Sequence, residues 1–183
     1  MPQRSDLPRD LHYPLIVKPK NEAVSYGLKV VHDEAVLKRY MKAAVDVSPE
    51  RPILIDKFLE NAIEAEADAI ADGTNAFVPA IMEHIELAGV HSGDASMVLP
   101  PQRTYLETMR RVKIIGRKVA ESLTITGPFN MQFLAKDGDV KVIECNLRAS
   151  RSFPFASKVF KMNFVDVATK VIMGKTVPPF DRS

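Results

Sequence analysis

The chain has 183 residues, 46% apolar and 26% charged, a composition for one folded domain or two packed lobes and not for a disordered chain. Its 25 Lys+Arg against 23 Asp+Glu leave a net charge of +2, too balanced to announce a nucleic-acid surface. A lone cysteine, Cys145, excludes an internal disulfide framework and a multi-cysteine zinc site, no apolar run reaches the roughly 20 residues of a membrane helix, and the polar opening Met1-Pro2-Gln3-Arg4-Ser5-Asp6 is not expected to be a signal peptide.

Residues 1–12 carry Pro2, Pro8 and several charges and read as a loose lead-in. Residues 13–19 form a short apolar run closed by proline, and residues 27–31 a second one. The two are expected to pair as a hairpin across a long polar loop. Asp33 stands where it would cap a helix on which Val36, Leu37, Tyr40, Met41 and Ala44 recur at helical spacing. Pro49 and Pro52 bracket a turn, and Ile53-Leu54-Ile55 reads as a buried strand that the chain leaves through residues 56–59. In Glu64-Ala65-Glu66-Ala67-Asp68-Ala69-Ile70 acids alternate strictly with small apolar residues, the pattern of a half-buried strand. Asp72-Gly73 marks a turn, and residues 77–85 continue the sheet, where Pro79 demands an edge or a bulge.

A glycine-flanked loop at residues 89–94 leads into a strand over 95–99. Leu106, Met109, Val112, Ile115 and Val119 make one stripe of a helix over 105–123. Gly127-Pro128 is expected to break the chain. Strands over 129–135 and 140–147 then flank Lys136-Asp137-Gly138-Asp139, and a last helix carries Val165, Ala168, Val171 and Ile172, with Gly174 at its C-cap. This order predicts an α+β fold with mostly antiparallel sheets.

The strongest chemical signal is Gln132 with Glu144 and Asn146 on the second hairpin. Glu144 and Asn146 are two apart and share a face. The turn decides whether Gln132 joins them. A two-residue turn, Asp137-Gly138, puts Gln132 on the opposite face. A three-residue turn, with Gly138 left-handed, puts it diagonally across from Glu144, roughly 7–8 Å away. One carboxylate and two amide oxygens are hard ligands suited to Mg²⁺, which keeps waters and accepts phosphate oxygens. A solvated hairpin face is the plain alternative. Arg148 and Arg151 follow directly; alone they are ordinary surface arginines, but beside a magnesium site they point to an anionic substrate. His84 and His91 lack the neighbours a zinc site needs, and His91-Ser92 between glycines reads as a substrate-facing loop or a tight turn. Lys18, at a strand end, is either solvated or able to reach a phosphate. Cys145 lies between Glu144 and Asn146 and should point the other way, as a core residue.

Three stretches resemble the large chain of carbamoyl-phosphate synthetase. They are Glu83-His84-Ile85-Glu86-Leu87-Ala88-Gly89-Val90-His91-Ser92-Gly93-Asp94, Gly127-Pro128-Phe129-Asn130-Met131-Gln132-Phe133, and residues 142–158, which include Glu144-Cys145-Asn146-Leu147-Arg148-Ala149-Ser150-Arg151-Ser152-Phe153-Pro154-Phe155. The wording is most similar to the second half of that chain, which phosphorylates carbamate. The resemblance implies an ATP-grasp fold, an α+β fold of two lobes. Residues 13–60 would form the small lobe and hinge, and 61–176 the large lobe with the metal site. Residues 1–12 and 177–183 would be a lead-in and a tail.

It further implies ATP with Mg²⁺ or Mn²⁺ as cofactors. Gln132, Glu144 and Asn146 would be metal ligands. Lys57, Leu59 and Glu64 would lie at base and ribose, Gly89, Val90, His91 and Ser92 in a nucleotide loop, and Lys18 toward the phosphates. Arg148 and Arg151 would act at the transferred phosphoryl group and carbamate. The implied activity is that of an ATP-dependent ligase of pyrimidine or arginine biosynthesis, represented here by a fragment, and the single cysteine fits a reducing setting, the cytoplasm or an organellar matrix. Its implied partners are carbamate or bicarbonate, the rest of the large chain and an ammonia-supplying glutaminase subunit, with no nucleic acid and no membrane. The loop Lys20-Asn21-Glu22-Ala23-Val24-Ser25-Tyr26-Gly27 departs from the family in having one glycine and an acid where phosphates would lie. It sustains an alternative, a non-catalytic nucleotide- or metal-binding module. The wording around His91 argues against a third reading, another ATP-grasp ligase with a different acceptor.

Overall fold

The structure, a computed structural model, describes residues 11–19, 29–47, 53–88, 95–175 and 177. The chain divides into two compact units, one ending at Glu60 and the other beginning at Asn61. The first contains β1 (Leu15–Pro19), β2 (Lys29–Val31), α1 (Glu34–Val47) and β3 (Ile53–Lys57). β1 is the middle strand of a three-stranded sheet and pairs antiparallel with both neighbours, so the two runs do join as a hairpin. Asp33 caps α1 by accepting the Val36 N–H on Oδ1 at 2.8 Å. Leu15, Val17, Val31 and Leu37 form the core of this unit. β3 is an edge strand and not a buried one. Ile53 and Ile55 pack on that core, whereas Leu54 points away from it and is 51% exposed.

The second unit contains β4 (Ile63–Asp72), β5 (Ala76–His84), β6 (Met97–Val98), α2 (Leu106–Ser122), β7 (Thr126–Lys136), β8 (Asp139–Asn146), α3 (Phe153–Phe160) and α4 (Phe164–Ile172). Its sheet has the order β6-β5-β4-β7-β8, antiparallel at every step, with β4 in the centre. On one face Ala65, Ala67, Ala69 and Ala71 join Phe129, Met131 and Phe133 in a core closed by Val112 and Ala120 of α2. On the other face Glu64, Glu66 and Asp68 are buried as well, so β4 is not the half-buried strand that its alternation suggested. Its acids are covered by polar side chains from β5, β7 and the loop after β8. Farther along that face, Ile70 and Ala80 meet Phe153, Ala156, Phe164 and Ala168 of α3 and α4.

Pro79 is tolerated in β5 for two reasons. Among the described residues β6 pairs only with Glu83 and His84, so no strand pairs with the outer edge of β5 at Pro79, and the register against β4 shifts between Asp68 and Ile70. Gly127-Pro128 does not break the chain; both lie in β7. Gly127 adopts φ 110°, and β8 begins pairing only at Asn130, so Pro128 interrupts no ladder on that side. The strand expected over 95–99 shrinks to two residues. Leu106 is 61% exposed, because α2 turns Thr108, Val112, Gly116 and Ala120 inward. The expected last helix is α4, capped by Asn163, whose Oδ1 accepts the Asp166 N–H at 3.1 Å. α3 was not foreseen: eight residues are too few for a periodic signal. Among the described residues no helix is long and apolar enough to cross a membrane.

Candidate functional site

β7 and β8 are joined by a two-residue turn, Asp137-Gly138, with φ 51° and 83°, and Lys136 stands opposite Asp139. The three-residue turn is therefore not formed. The pairing proceeds through Ala135–Val140 and Leu134–Lys141 to Phe133–Val142, and continued unbroken it would put Gln132 opposite Ile143. Instead the register shifts between Gln132 and Phe133. Ile143 is left as the extra residue of a bulge, and Gln132 faces Glu144 directly, with Asn130 facing Asn146. Gln132, Glu144 and Asn146 thereby share one face.

The amides in this row are oriented by their donors. Gln132 Nε2 donates to Glu66 Oε1 at 3.1 Å, and Asn146 Nδ2 donates to Glu144 Oε1 at 2.7 Å. Each amide is left with its oxygen as acceptor. The row runs from buried Gln132 to exposed Glu144. Two amide oxygens and a carboxylate fit a hard, partly hydrated divalent cation. Among the described residues no group of three His, Cys, Asp or Glu is arranged to hold a metal.

Behind this row lies a buried polar layer that the sequence reading passed over. Glu66 Oε2 accepts from Asn130 Nδ2 at 3.2 Å. His84 Nε2 lies 3.3 Å from Glu66 Oε1, and Nδ1 lies 3.8 Å from Glu64 Oε1. Burial pushes the His84 pKa down, but Glu66, Glu64 and Glu86 outweigh burial and hold it above its ordinary value. The Glu66 contact lacks hydrogen-bond geometry, so His84 Nε2 is a buried nitrogen with no hydrogen-bond partner. The signal for Glu66 was present in the sequence, since period two sets it on the face of Glu64. Reading that face as solvated hid it.

Asp68 completes the layer. It is 0% exposed. Its Oδ1 accepts from Ser150 Oγ at 2.5 Å and Asn130 Nδ2 at 3.0 Å, and its Oδ2 from Ser152 Oγ at 2.7 Å. Burial pushes its pKa up, the three donors pull against that, and Glu66 adds to the rise. Arg151 sits between the two serines, and Arg148 two residues before the first. Both arginines are exposed, and neither makes an ion pair among the described residues.

The remaining candidates are distributed as follows. Glu64 is buried on β4, beside His84. Lys57 and Leu59 belong to the first unit, where Lys57 Nζ donates to the His12 carbonyl at 3.3 Å. Lys18 lies in β1, with its side chain outside the description, and Gly89, Val90, His91, Ser92 and the 20–27 loop lie outside the described residues. Cys145 packs against the core under α2, on the face opposite Glu144, and burial pushes its thiol pKa up, as suits a packing residue.

A family model described as "Carbamoyl-phosphate synthase L chain, ATP binding domain" matches residues 2–179. The multifunctional protein pyr-3 of Neurospora crassa is 50% identical over 162 residues, which is 88% of this chain and 9% of that protein. The arginine-specific mitochondrial large chain of carbamoyl phosphate synthase from the same organism is 49% identical over 175 residues, 92% of this chain and 15% of that one. The human mitochondrial carbamoyl-phosphate synthase [ammonia] is 46% identical over 169 residues, 92% of this chain and 11% of that protein. The chain thus spans less than a sixth of each of these relatives. Among solved structures, a biotin carboxylase–β,γ-ATP complex from Campylobacter jejuni superposes with a TM-score of 0.75 at 19% identity, over 92% of this chain and 39% of that one. At that identity the likeness speaks to the fold.

Proposed function

The chain belongs to the family of carbamoyl-phosphate synthase L chain ATP-binding domains, and from that premise we propose that it binds Mg-ATP and transfers the γ-phosphoryl group to carbamate. The observation that carries this reading is the shared face of Gln132, Glu144 and Asn146, produced by the Ile143 bulge, together with the arginine-bearing loop tied to the same sheet by Asp68.

In this reading Glu144 and the oxygens of Gln132 and Asn146 would hold Mg²⁺ or Mn²⁺, which would supply positive charge to the nucleotide phosphates. Arg148 and Arg151 receive the equatorial oxygens of the transferred group in bidentate fashion. A carbamate oxygen attacks the γ-phosphorus, the bond to the β–γ bridging oxygen breaks, and carbamoyl phosphate and ADP separate. Carbamate is already an anion, so no general base is required. Lys57, Leu59 and Glu64 serve base and ribose, Gly89, Val90, His91 and Ser92 a nucleotide loop, and Lys18 the phosphates. The unit through Glu60 acts as the small lobe and the unit from Asn61 as the large one. Carbamate arrives through the remainder of a large chain and an ammonia-supplying glutaminase subunit.

The test is calorimetric titration of this chain with MgADP and MgATP, paired with an assay of ATP formation from MgADP and carbamoyl phosphate. Binding of both nucleotides with ATP formation supports the reading, and absence of nucleotide binding removes it. The single-glycine wording of residues 20–27, with Glu22, favours a second reading, a binding module without turnover. Nucleotide binding without any phosphoryl transfer, in either the isolated chain or a full-length synthetase carrying it, would select that reading.

A further inference from the structure

We propose that Asp68 is a positioning residue for the arginine loop, holding Arg148 and Arg151 toward the face that bears Gln132, Glu144 and Asn146. The inference rests on the functional reading above and adds to it the group that sets the geometry of the transfer.

Asp68 is fully buried on the central strand and has no cationic partner among the described residues. A buried carboxylate without a counter-cation is costly, so a contact made for packing alone would be expected to be apolar. Ile70, two residues along the same face, has just such a contact in its cluster with Phe153. The partners that Asp68 does have are informative. Two are the hydroxyls of Ser150 and Ser152, 82 and 84 residues away in sequence, which flank Arg151 on both sides. Those hydroxyls also lie 2.7 Å from each other. The third partner, Asn130, stands on β7 directly opposite Asn146. One carboxylate therefore ties the arginine loop to β7, the strand that carries Gln132 and pairs with β8. Hydroxyl–carboxylate bonds are directional, so they fix where the backbone on either side of Arg151 can lie. A displacement of about 1 Å in a group that grips a reacting phosphoryl costs on the order of a hundredfold in rate.

The experiment measures two affinities by titration calorimetry, for MgADP and for carbamoyl phosphate in the presence of saturating MgADP. The variants are Asp68→Ala, the double variant Ser150→Ala/Ser152→Ala, Arg148→Ala, Arg151→Ala and Val112→Ala. Val112 lies in the core on the opposite face of the sheet and serves as a matched destabilisation. Asp68→Ala and the double serine variant are expected to weaken carbamoyl phosphate binding by roughly tenfold or more, leave MgADP binding near that of the parent, and slow ATP formation more than binding. Val112→Ala should lower the melting temperature without that split. If Asp68→Ala does not fold, the serine pair carries the test alone. Parent-like carbamoyl phosphate affinity in the serine variant, or parallel loss of both affinities as in a merely destabilised chain, overturns the positioning role. If both arginine variants bind carbamoyl phosphate as the parent does, the functional reading falls, whatever Asp68 does.

Discussion

Gln132 stands opposite Glu144, and not opposite Ile143 where the two-residue Asp137-Gly138 turn would have left it. A single unpaired residue separates these two arrangements, and side chains alternate faces with period two. Deleting Ile143 should give a bulge-free ladder in which Gln132 still meets Glu144. Deleting Val142 and Ile143 together should turn Glu144 to the α2 side. Magnesium-dependent nucleotide binding is therefore expected to survive the first deletion and to fail in the second, as calorimetry with MgADP would register.

Glu144 is exposed and its carboxylate accepts from Asn146 Nδ2, so its removal should cost binding and not folding. Glu144→Ala should weaken MgATP binding by at least about tenfold while moving the melting temperature by no more than about 2 °C. A fall in melting temperature with unchanged nucleotide affinity would make Glu144 a structural residue.

Glu83 is 1% exposed, with Arg103 Nε on Oε1 at 2.6 Å and the Thr104 N–H and hydroxyl on Oε2 at 2.9 and 2.8 Å. Burial works against its charge, but these donors outweigh burial and hold its pKa below the ordinary value of 4.5. A carboxyl with a depressed folded pKa contributes stability that is present above the ordinary value and is lost as pH falls through the folded one. Chemical denaturation between pH 7 and pH 3 should therefore show an acid limb that flattens in Glu83→Gln. At pH 7, Glu83→Ala should destabilise by roughly 2–4 kcal/mol through its unpaired buried donors.

Gly127 holds φ 110°, and a Cβ there would sit 3.0 Å from Ile172 Cγ1 of α4. Gly127→Ala is expected to cost about 2 kcal/mol in thermal or urea unfolding, from backbone strain and the displaced helix together. Pairing it with Ile172→Ala should recover the steric part alone, since φ stays unfavourable for any side chain.

Much of this architecture was legible because it is local. The period-two run from Glu64 to Ile70, the Asp33 cap and the α2 stripe each follow from neighbours in sequence, and each element formed. What escaped is set at a distance. The acid face of β4 read as solvated because its cover comes from Asn130, Gln132, Ser150 and Ser152, whose arrival no local pattern announces. Ile143 carries no mark of a bulge, since a β-branched residue in a strand looks like any paired one. Gly127-Pro128 read as a stop because the missing N–H matters only where a neighbour needs it, and β8 starts later. In the candidate site, the residue types and the Glu144–Asn146 spacing were legible. The link between Asp68 and the arginine loop was not.

The two faces of β4 have opposite sensitivities to replacement. Along Ala65, Ala67, Ala69 and Ala71 the neighbours are Val112, Phe129, Met131 and Phe133, so volume is the limit. Ala67→Ser would be admitted more readily than Ala67→Leu. Along Glu64, Glu66 and Asp68 acceptor chemistry is the limit, and a side chain of similar size such as Leu would strand the donors of Asn130, Gln132 and the two serines. Neutral drift along this strand is thus confined to two narrow alphabets that interleave residue by residue. A one-residue insertion or deletion within it would exchange them for every residue beyond that point wherever no bulge absorbs it, so its length should be far less free to vary than that of the loops at its ends.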